Sequence, residues 1–374
     1  MKIAIVSPYF FPKVGGLESY VYYVSKELIK NGHDVVVITS GEENSTEKFD
    51  GLTVYRLKTT LVLSNTPIGL FWFYQMYRIF REERPDVISA HSPVPFIADI
   101  ASLLATFSGI PFVLTYHAGS FKKDQFLADL ITNVYSNTAE RVMFHQAKKI
   151  IALNEFVQSE TLKSYHKKVK LIKPGITLQS TQQTVKRTTR ERILFVGKLD
   201  RTHEWKGLSY LIQALPITLK EKPDVSLTIV GGGDYLHFYK KLTEQLNIQP
   251  YVTFIGHVAN GEMSEFYQSH DLLVLPSYSN AESFGLVMIE AMKFGLPVVA
   301  TTVGGIPFTI KDDVNGKLVE PKNPVALANA ITTLFEDKKL FDTIRKNNLL
   351  KSKEYDWKIH IEQLEKNFNE IIKR

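Results

Sequence analysis

Short, almost wholly apolar runs alternate with helical patterns along the first half of the chain. The runs predict strands at 2–7, 35–39, 87–90, 112–115 and 149–152. Apolar positions at helical spacing predict helices at about 17–31, 96–107, 127–146 and 155–164. Strands that are apolar on both faces are typical of a parallel sheet covered by helices on both sides.

This alternation stops at residues 173–190, where 180–190 is polar and basic and has no hydrophobic period, as in a linker. A second series then predicts strands at 193–196, 226–230, 252–255, 272–275 and 298–300. Its helices are expected to begin near Gly207, Tyr235, Gly261 and Phe284, and two more helical segments at about 323–349 and 355–372 close the chain.

The fold class predicted by this pattern is α/β, with two Rossmann-like, doubly wound domains facing across a cleft. We expect an N-terminal domain at 1–173, a linker at 174–190 and a C-terminal domain at 191–354, with the last helix, 355–374, packing back on the first domain. Ligands of such sheets bind outside the carboxyl ends of the strands, so facing sheets would hold a ligand between them.

Composition narrows the class of protein. Of 374 residues, 44% are hydrophobic and 22% charged, which excludes a disordered or fibrous chain. The absence of cysteine excludes disulfides, iron–sulfur clusters, thiolate zinc sites and a cysteine nucleophile, and is compatible with a reducing compartment. Neither a secretory signal nor a membrane-spanning helix is apparent, because the longest apolar stretch, 94–116, is interrupted by Asp99, Gly109 and Pro111.

The net charge of +6 is spread over both halves, with 20 basic against 16 acidic residues in 1–173 and 25 against 23 in 174–374. An excess this mild suits an anionic ligand or an anionic membrane surface better than nucleic acid. We therefore expect a cytoplasmic protein, peripheral at the inner face of the membrane if that surface is its anionic partner.

Two features of the first half could bind a ligand. Gly15 and Gly16 stand at the start of the first predicted helix, where backbone N–H groups can approach an anion, although a plain tight turn explains them equally well. His117 follows the strand that ends at Thr115, on the ligand side of the sheet. Taken alone, a structural histidine is the better explanation.

The second half carries charged candidates. Lys198 and Lys206 flank a strand-to-helix turn, where they could neutralise a diphosphate or simply be solvated surface lysines. Glu282 precedes a predicted helix, and Glu290 lies eight residues later among Val, Met, Ile and Ala. A buried carboxylate is costly without strong hydrogen bonds, which ligand hydroxyls or a structural partner can supply.

The segment from Glu282 to Glu290 makes the sequence resemble the retaining glycosyltransferases of family 4, which have two Rossmann-like domains in the GT-B arrangement. Phe-Gly follows the first glutamate and Gly-Leu-Pro-Val-Val follows the second, in a highly specific pattern. Gly15-Gly16, Gly304-Gly305 and Asn315-Gly316 stand in the family's order and spacing, so the resemblance covers nearly the whole chain.

The resemblance implies a nucleotide-diphosphate sugar donor, such as a UDP- or GDP-hexose, and assigns roles in the second domain. Glu282 would bind the sugar hydroxyls, Glu290 the ribose, and Lys198 with Lys206 the diphosphate. Further N–H groups and the base pocket would come from the backbone at Phe284, Gly285, Leu286 and Val287 and from the strand holding Phe254 and Ile255.

The resemblance also assigns roles in the first domain. The Gly15-Gly16 turn would approach the donor, and His117 would touch the donor sugar near the reacting centre. With Glu282, Lys206 and Lys198, His117 makes up the predicted catalytic set. Two positions depart from the family pattern, because Lys198 replaces an arginine and Phe308 stands where an acidic residue often follows Gly-Gly-Ile-Pro. Both leave the identity of the donor open.

No cofactor and no metal are expected. Charge that grows on the leaving diphosphate can be stabilised by Lys198, Lys206 and helix N-termini. The sequence has no Asp-x-Asp after a strand, and Asp312-Asp313 are adjacent in a loop. Nothing singles out a carboxylate for a covalent intermediate, and front-face displacement is the route to retention that the family implies.

The acceptor is expected on the first domain. Residues 67–80 predict a helix with Pro67 in its first turn and six aromatic residues at 71–80, followed by Arg81 and Arg84. Such a helix is either buried or in contact with a bilayer or a lipid-linked acceptor. Basic and apolar residues at 121–127, the predicted helix at 127–146 and the basic run 166–170 could extend that surface.

The sequence leaves three possible functions to compare. We predict transfer of a hexose to a lipid-linked or cell-surface glycan. The alternatives are a non-catalytic nucleotide-sugar-binding partner of a glycosyltransferase complex and a transferase for a small soluble acceptor. A nicotinamide-dependent oxidoreductase is disfavoured because the G-x-G-x-x-G fingerprint is missing, and the turn at 231–234 lacks the third glycine.

Overall fold

A computed structural model describes residues 1–13, 15–63, 66–117, 133–178, 191–259 and 261–372. The chain divides into two compact units, 1–175 with 356–374, and 176–355. None of the helices in the described ranges is both long enough and apolar enough to cross a bilayer.

The first unit is built on an eight-stranded sheet with the order β10-β9-β8-β7-β1-β2-β4-β3, and β5 with β6 forms a separate antiparallel pair. Its strands are β1 Lys2–Ser7, β2 Asp34–Gly41, β3 Ser45–Phe49, β4 Leu52–Lys58, β5 Leu61–Leu63, β6 Thr66–Ile68, β7 Val87–Ser92, β8 Phe112–Tyr116, β9 Lys149–Ala152 and β10 Val169–Leu171. Its helices begin with α1 Gly16–Lys30, α2 Trp72–Glu83, α3 Ile97–Ser108 and α4 Ala139–Gln146. Every strand pair of the large sheet is parallel except β3 with β4.

The second unit has a six-stranded, wholly parallel sheet with the order β13-β12-β11-β14-β15-β16. Its strands are β11 Arg192–Val196, β12 Ser226–Val230, β13 Val252–Gly256, β14 Leu272–Leu275, β15 Val298–Thr301 and β16 Lys317–Val319. Its helices are α5 Leu208–Glu221, α6 Leu236–Gln245, α7 Met263–Ser269, α8 Leu286–Lys293, α9 Ile306–Thr309, α10 Pro324–Glu336 and α11 Lys338–Lys351. The last helix, α12 Trp357–Ile372, belongs to the first unit.

Alternation along the central strands places a core on each face of each sheet. In β1, Ala4 and Val6 join one hydrophobic cluster, and Ile3 and Ile5 join another. In β11, Ile193 and Phe195 lie on one face and Leu194 on the other. Helices that cover both faces explain why the central positions of these strands are all apolar.

Several predicted elements were wrong in type or extent. The segment predicted as one helix at 323–349 is two helices, because Asp337 leaves helical geometry and accepts a hydrogen bond from the N–H of Leu340 to cap the second. The helix predicted at 155–164 is a π-turn at Val157–Thr161 and a 3₁₀ turn at Lys163–Tyr165. Pro67 is not in a first helical turn but in β6, and α2 begins at Trp72. Most of the predicted linker, 179–190, lies outside the described residues, and so do residues 118–132, which include the start of the helix predicted at 127–146.

Candidate active site

The strand order itself marks one place in each unit for a ligand. In the first sheet, β1 pairs with both β2 and β7, so the direction of winding reverses between β1 and β7. In the second sheet, β11 pairs with both β12 and β14. A crevice opens outside the carboxyl ends of the strands at such a reversal.

In the second unit, a charged cluster stands at the carboxyl ends of β11 and β14. Lys206 Nζ lies 3.2 Å from Glu282 Oε2, and Ser277 Oγ donates a hydrogen bond of 3.0 Å to the same oxygen. The side chain of Glu282 is almost wholly buried. A buried carboxylate needs such partners, and the ammonium and hydroxyl provide them.

The glycine after β11 makes room for Lys206. A Cβ at Gly197 would stand 2.9 Å from Lys206 Cδ, so the lysine stem lies directly over the glycine. The ammonium is 4.7 Å from the centre of the Trp205 ring, a cation–π distance. The side chain is thereby held at the end of the strand.

Both predicted lysines act electrostatically on the same histidine. Burial lowers the pKa of His203, and the positive charges of Lys198 and Lys206 lower it further. Lys198 is exposed, whereas Lys206 is half-buried. The structure thus brings Lys206 and Glu282 into contact, and it relates Lys198 to Lys206 through their shared effect on His203.

The loop that carries Glu282 is shaped by the glycine pair of the sequence motif. Gly304 has φ +51°, and a Cβ there would stand 2.2 Å from the carbonyl oxygen of Glu282. The N–H of Gly305 donates to that oxygen over 2.9 Å, and the N–H of Gly304 donates to Asn280 Oδ1 over 2.9 Å. Only a residue without a side chain permits this approach.

Glu290 lies one turn into α8 and has its own partner. Tyr267 donates a hydrogen bond of 2.6 Å to Glu290 Oε2. Burial raises the pKa of Glu290, and the hydrogen bond from Tyr267 opposes that rise. The helix begins only at Leu286, so Glu282 and Glu290 do not share a helix face.

The remaining predicted donor residues occupy the start of α8 and an edge strand. Gly285, with φ +64°, immediately precedes α8, and Leu286 and Val287 form its first turn. The Phe284 ring packs against Tyr355, with ring centres 6.0 Å apart. On the edge strand β13, Phe254 packs against the core and Ile255 is 42% exposed.

In the first unit, a cluster of imidazole and aromatic rings lies at the carboxyl ends of β7 and β8. The N–H of His117 donates to the carbonyl of Ser92 over 2.9 Å, which ties the two strand ends together. His91 Nδ1 lies 2.9 Å from His117 Nε2. The ring of Tyr20, from α1, stands edge-on to both imidazoles at 5.6 and 4.9 Å between centres.

The last helix adds a third histidine to this cluster. His360 Nδ1 donates to the carbonyl of Lys173 over 2.8 Å, so its Nε2 accepts the hydrogen bond of 2.8 Å from the Tyr20 hydroxyl. Burial lowers the pKa of His117 to about 3 and that of His360 to about 4, and holds the pKa of His91 well below its usual range. All three rings are therefore neutral at pH 7.

The Gly15-Gly16 turn leads directly into α1. Gly15 is extended, with φ −170°, and a Cβ on it would stand 2.5 Å from a carboxylate oxygen of Glu18. The first turn of α1 thus places an acidic side chain at its own N-terminus, where the helix dipole favours it.

Sequence reasoning missed the partners of the predicted residues. His91 ends a buried strand just as His117 does, so the same rule would have found it. Ser277, two residues after the end of β14, falls under the same rule, whereas Tyr20, Tyr267 and His360 had no such signal, because only packing brings them to the site. Within the described parts of the chain, no three His, Asp or Glu side chains are grouped so as to hold a metal ion.

Comparison with known proteins places each unit in a described family. The family model for glycosyl transferases group 1 matches residues 178–350, and the model for glycosyltransferase family 4 matches residues 14–180. An uncharacterized glycosyltransferase of Methanocaldococcus jannaschii is 29% identical over 364 residues, covering 90% of each protein. The gpi3 subunit of phosphatidylinositol N-acetylglucosaminyltransferase from Schizosaccharomyces pombe is 26% identical over 81% of this chain and 66% of its own length.

The same fold is found among solved structures. That of Anabaena Alr3699/HepE in complex with UDP-glucose aligns with a TM-score of 0.76 at 21% identity, covering 99% of this chain and all of that one. The two family models together span residues 14–350, which include both clusters described above except for His360.

Proposed function

Because this chain is a family 4 glycosyltransferase with the GT-B fold, we propose that it transfers a hexose from a nucleotide-diphosphate donor, with retention of configuration and without a metal, to a lipid-linked or cell-surface glycan. The observation that carries the proposal is the ion pair between half-buried Lys206 and buried Glu282 at the winding reversal of the second sheet. This pair places a cation that can bind phosphate next to a carboxylate that can accept hydrogen bonds from sugar hydroxyls.

Each donor group has a complementary partner in the second unit. Glu282 accepts hydrogen bonds from sugar hydroxyls, and Glu290 accepts those of the ribose. Lys198 and Lys206 bind the diphosphate as point charges. The N–H groups at the start of α8 add hydrogen bonds to phosphate, favoured by the helix dipole.

The chemical step follows from these charges. The bond between the anomeric carbon and the diphosphate oxygen breaks, and the acceptor oxygen forms the new bond on the same face. The acceptor proton passes to the departing phosphate. Negative charge grows on the diphosphate as that bond lengthens, so cations fixed beside it lower the barrier more than they stabilise the bound donor.

Donor binding can be tested without knowing the acceptor. UDP- and GDP-hexoses are screened for thermal stabilisation, since a ligand at 100 times its Kd adds about 2.7 kcal/mol to stability. UDP-glucose comes first, because the Anabaena neighbour was solved with it. Donor hydrolysis or transfer in the presence of excess chelator should follow for the donors that stabilise.

Each negative result in that screen has its own meaning. Stabilisation without hydrolysis or transfer would favour the non-catalytic binding partner. Loss of activity with chelator, restored by Mg²⁺ or Mn²⁺, would contradict metal independence. An anomeric product of inverted configuration would contradict retention.

An exposed apolar surface favours an acceptor held in or at a bilayer. Helix α2 buries Trp72, Met76, Ile79 and Phe80 and exposes its other aromatic residues, and all three residues of β5 are more than half exposed. We call the exposed set the apolar edge: Leu61, Val62, Leu63, Leu70, Phe71, Phe73, Tyr74 and Tyr77. A patch of this kind is typical of an interaction site.

Topology puts the apolar edge near the strand ends that form the candidate site. The β5–β6 pair and the start of α2 follow the carboxyl end of β4, which runs parallel to β1, β7 and β8 through β2. Exposed Arg78 and Arg81 follow on α2. Anionic lipids add about 1 kcal/mol for each Lys or Arg near the surface.

Vesicle co-sedimentation tests this contact. The protein should bind anionic vesicles at low salt, more weakly at high salt, and neutral vesicles least. Phe71→Ser should weaken binding, whereas the control variant Phe107→Ser should not. Phe107 is also highly exposed, but it lies near the C-terminal end of α3, which leads to the amino end of β8 and so to the opposite edge of the sheet from the apolar edge. No binding to anionic vesicles, with efficient transfer to a small sugar, would favour the soluble-acceptor alternative.

A further inference from the structure

His203 is a half-buried histidine next to the charged cluster of the second unit, and no step of the proposed reaction uses it. It lies in the 3₁₀ turn Arg201–Lys206 that follows β11, and the turn departs from helical geometry at His203. Its ring centre is 6.2 Å from that of Trp205, and the ammonium of Lys206 is 4.7 Å from the centre of the Trp205 ring. The imidazole and the ammonium therefore lie close to the same indole.

The two nitrogens of the His203 ring have different surroundings. Nδ1 lies 3.5 Å from Asp200 Oδ2 and 3.2 Å from the hydroxyl oxygen of Thr202. Nε2 has no hydrogen-bond partner among the residues that the structure describes. A doubly protonated ring would thus direct one N–H toward a carboxylate and keep the other available for an anion.

Charged groups from the turn and from two neighbouring loops act on this ring. Burial lowers the pKa of His203, and the positive charges of Lys198, after β11, and Lys206, in the turn, lower it further. The carboxylates of Asp200 and Glu282 act in the opposite direction. Because the lowering prevails, the ring is neutral at pH 7 in the free protein.

An anion bound by the two lysines would reverse this balance. The negative charge of a diphosphate offsets the positive charges of Lys198 and Lys206, which removes the repulsion that keeps a proton off His203. The carboxylates of Asp200 and Glu282 would then stabilise an imidazolium. Binding of the anion and binding of the proton are thereby linked, and each strengthens the other.

We propose that His203 is a third diphosphate-binding side chain, which takes up a proton from solvent when the donor binds and donates from Nε2 to a phosphate oxygen and from Nδ1 to Asp200. This rests on the proposed function, in which Lys198 and Lys206 bind the diphosphate. The added positive charge exists only while the anion is present. The affinity for the donor should therefore rise as the pH falls from 8 to 6.

Titration calorimetry counts the protons taken up for each ligand bound, from the heats at pH 6.5 in two buffers of different ionisation enthalpy. UDP-glucose and GDP-glucose are the probes, because the diphosphate of a sugar nucleotide has no group of its own that titrates near pH 7. Wild type should take up at least about 0.3 proton for each ligand, and His203→Gln less than about 0.1. The control is His237→Gln, at an exposed position on α6, which should match wild type.

The variant His203→Lys separates a fixed charge from proton uptake. Lysine stays protonated between pH 6 and pH 8, so this variant should bind the donor without proton uptake and with nearly constant affinity over that range. Wild type should bind at least about threefold more tightly at pH 6 than at pH 8, whereas His203→Gln should lose this dependence.

Proton NMR of the histidine rings observes the same proton directly. The signal of His203 is assigned by its absence from the spectrum of His203→Gln. In the free protein, His203 should titrate below pH 6.5, because its pKa is lowered from the ordinary value. With the sugar nucleotide bound, the titration of His203 should move to higher pH.

The outcomes separate this inference from the proposed function. Equal proton uptake by wild type and His203→Gln, or a His203 that titrates at the same pH with and without the donor, would overturn the inference and leave the proposed function intact. If neither sugar nucleotide binds, the proposed function fails, and inorganic pyrophosphate takes their place in the comparison of wild type with His203→Gln. Equal uptake with pyrophosphate, or no binding of it, would then overturn the inference as well.

Discussion

The two units place opposite kinds of chemistry at the carboxyl ends of their sheets. The first gathers three histidines and Tyr20, and burial keeps the histidines neutral. The second holds Glu282 against Lys206 and keeps Glu290 half-buried beside Tyr267. Burying a charged group costs free energy, and the two clusters avoid this cost differently. The histidines of the first cluster are neutral, whereas the charges of the second cluster are mainly paired.

The difference fits the division of labour that we propose. In that proposal, buried neutral rings suit contact with an uncharged sugar, whereas paired charges suit a diphosphate and its polar ribose. The same contrast predicts opposite responses to acid. A buried neutral histidine resists protonation, while a carboxyl group with a raised pKa takes up a proton readily.

The largest expected effect is on the charged cluster. Lys206→Ala should lower turnover about 100-fold to 1,000-fold, the scale for losing one group that stabilises transition-state charge. Lys220→Ala, an exposed lysine on α5, is the control and should change turnover less than twofold. The turnover of both variants is measured as steady-state transfer or donor hydrolysis. Near-normal turnover in Lys206→Ala would contradict the assignment of Lys206 to the diphosphate.

The next effect is the acid sensitivity of the neutral cluster. The pKa values of His117 and His360 are lowered to about 3 and about 4, so the unfolded chain takes up protons below pH 6.5 that the folded unit does not. The contribution of these histidines to the free energy of unfolding is fully present above pH 6.5 and is lost as the pH falls. At pH 5 the loss is about 2 kcal/mol for each such histidine.

Thermal melting between pH 7.5 and pH 4.5 measures this loss. His360→Asn keeps a donor for the carbonyl of Lys173 and removes one of the three histidines, so its melting temperature should fall less steeply with acid. His166→Asn, at an exposed position, should follow the wild-type curve. Parallel curves for His360→Asn and wild type would contradict the neutral cluster.

The smallest effect has the opposite sign and belongs to the second unit. Since burial raises the pKa of Glu290, the folded unit holds a proton that the unfolded chain releases above pH 4.5, and stability falls as the pH rises toward the folded pKa. Glu290→Gln keeps an acceptor for Tyr267 and removes this penalty. A gain of about 1 kcal/mol in the free energy of unfolding would raise the melting temperature of this variant by roughly 2–4 °C at pH 7.

Calorimetry at pH 7 and at pH 5 tests this prediction. The gain in Glu290→Gln should shrink at pH 5, where the wild-type carboxyl is closer to neutral. The same variant should bind the donor more weakly, because an amide accepts weaker hydrogen bonds from ribose hydroxyls than a carboxylate does. A lower melting temperature at pH 7 would show that Glu290 is stabilised as a charge.

Sequence patterns identified the sheets because the signal is local. Central strands such as 2–7 and 193–196 are buried on both faces, so almost every position is apolar and the run is visible without a structure. Elements at the edges of the sheets were missed because they lack this local apolar pattern. The strand Ser45–Phe49 is exposed over most of its length, and Leu61–Leu63 pairs with Thr66–Ile68 in a separate two-stranded sheet, so neither has a distinctive pattern.

Motif spacing also predicted much of the charged cluster. Glu282 and Lys206 come together because the ends of parallel strands share one edge of a sheet. The sequence could not show that Ser277 turns its hydroxyl toward Glu282 five residues later in the same connection, or that Glu290 is held by Tyr267, which lies on the separate helix α7.

The sequence by itself determined the alternation of strands and helices, the glycines that let backbone and side chains approach, and the charges available at the strand ends. Only the tertiary structure decided which face of α2 is buried and which forms the apolar edge, because period alone does not say what covers a helix. It also decided that His360, 243 positions from His117 along the chain, joins the histidine cluster. Protonation states depend on burial, and burial is a property of packing that no local run of residues contains.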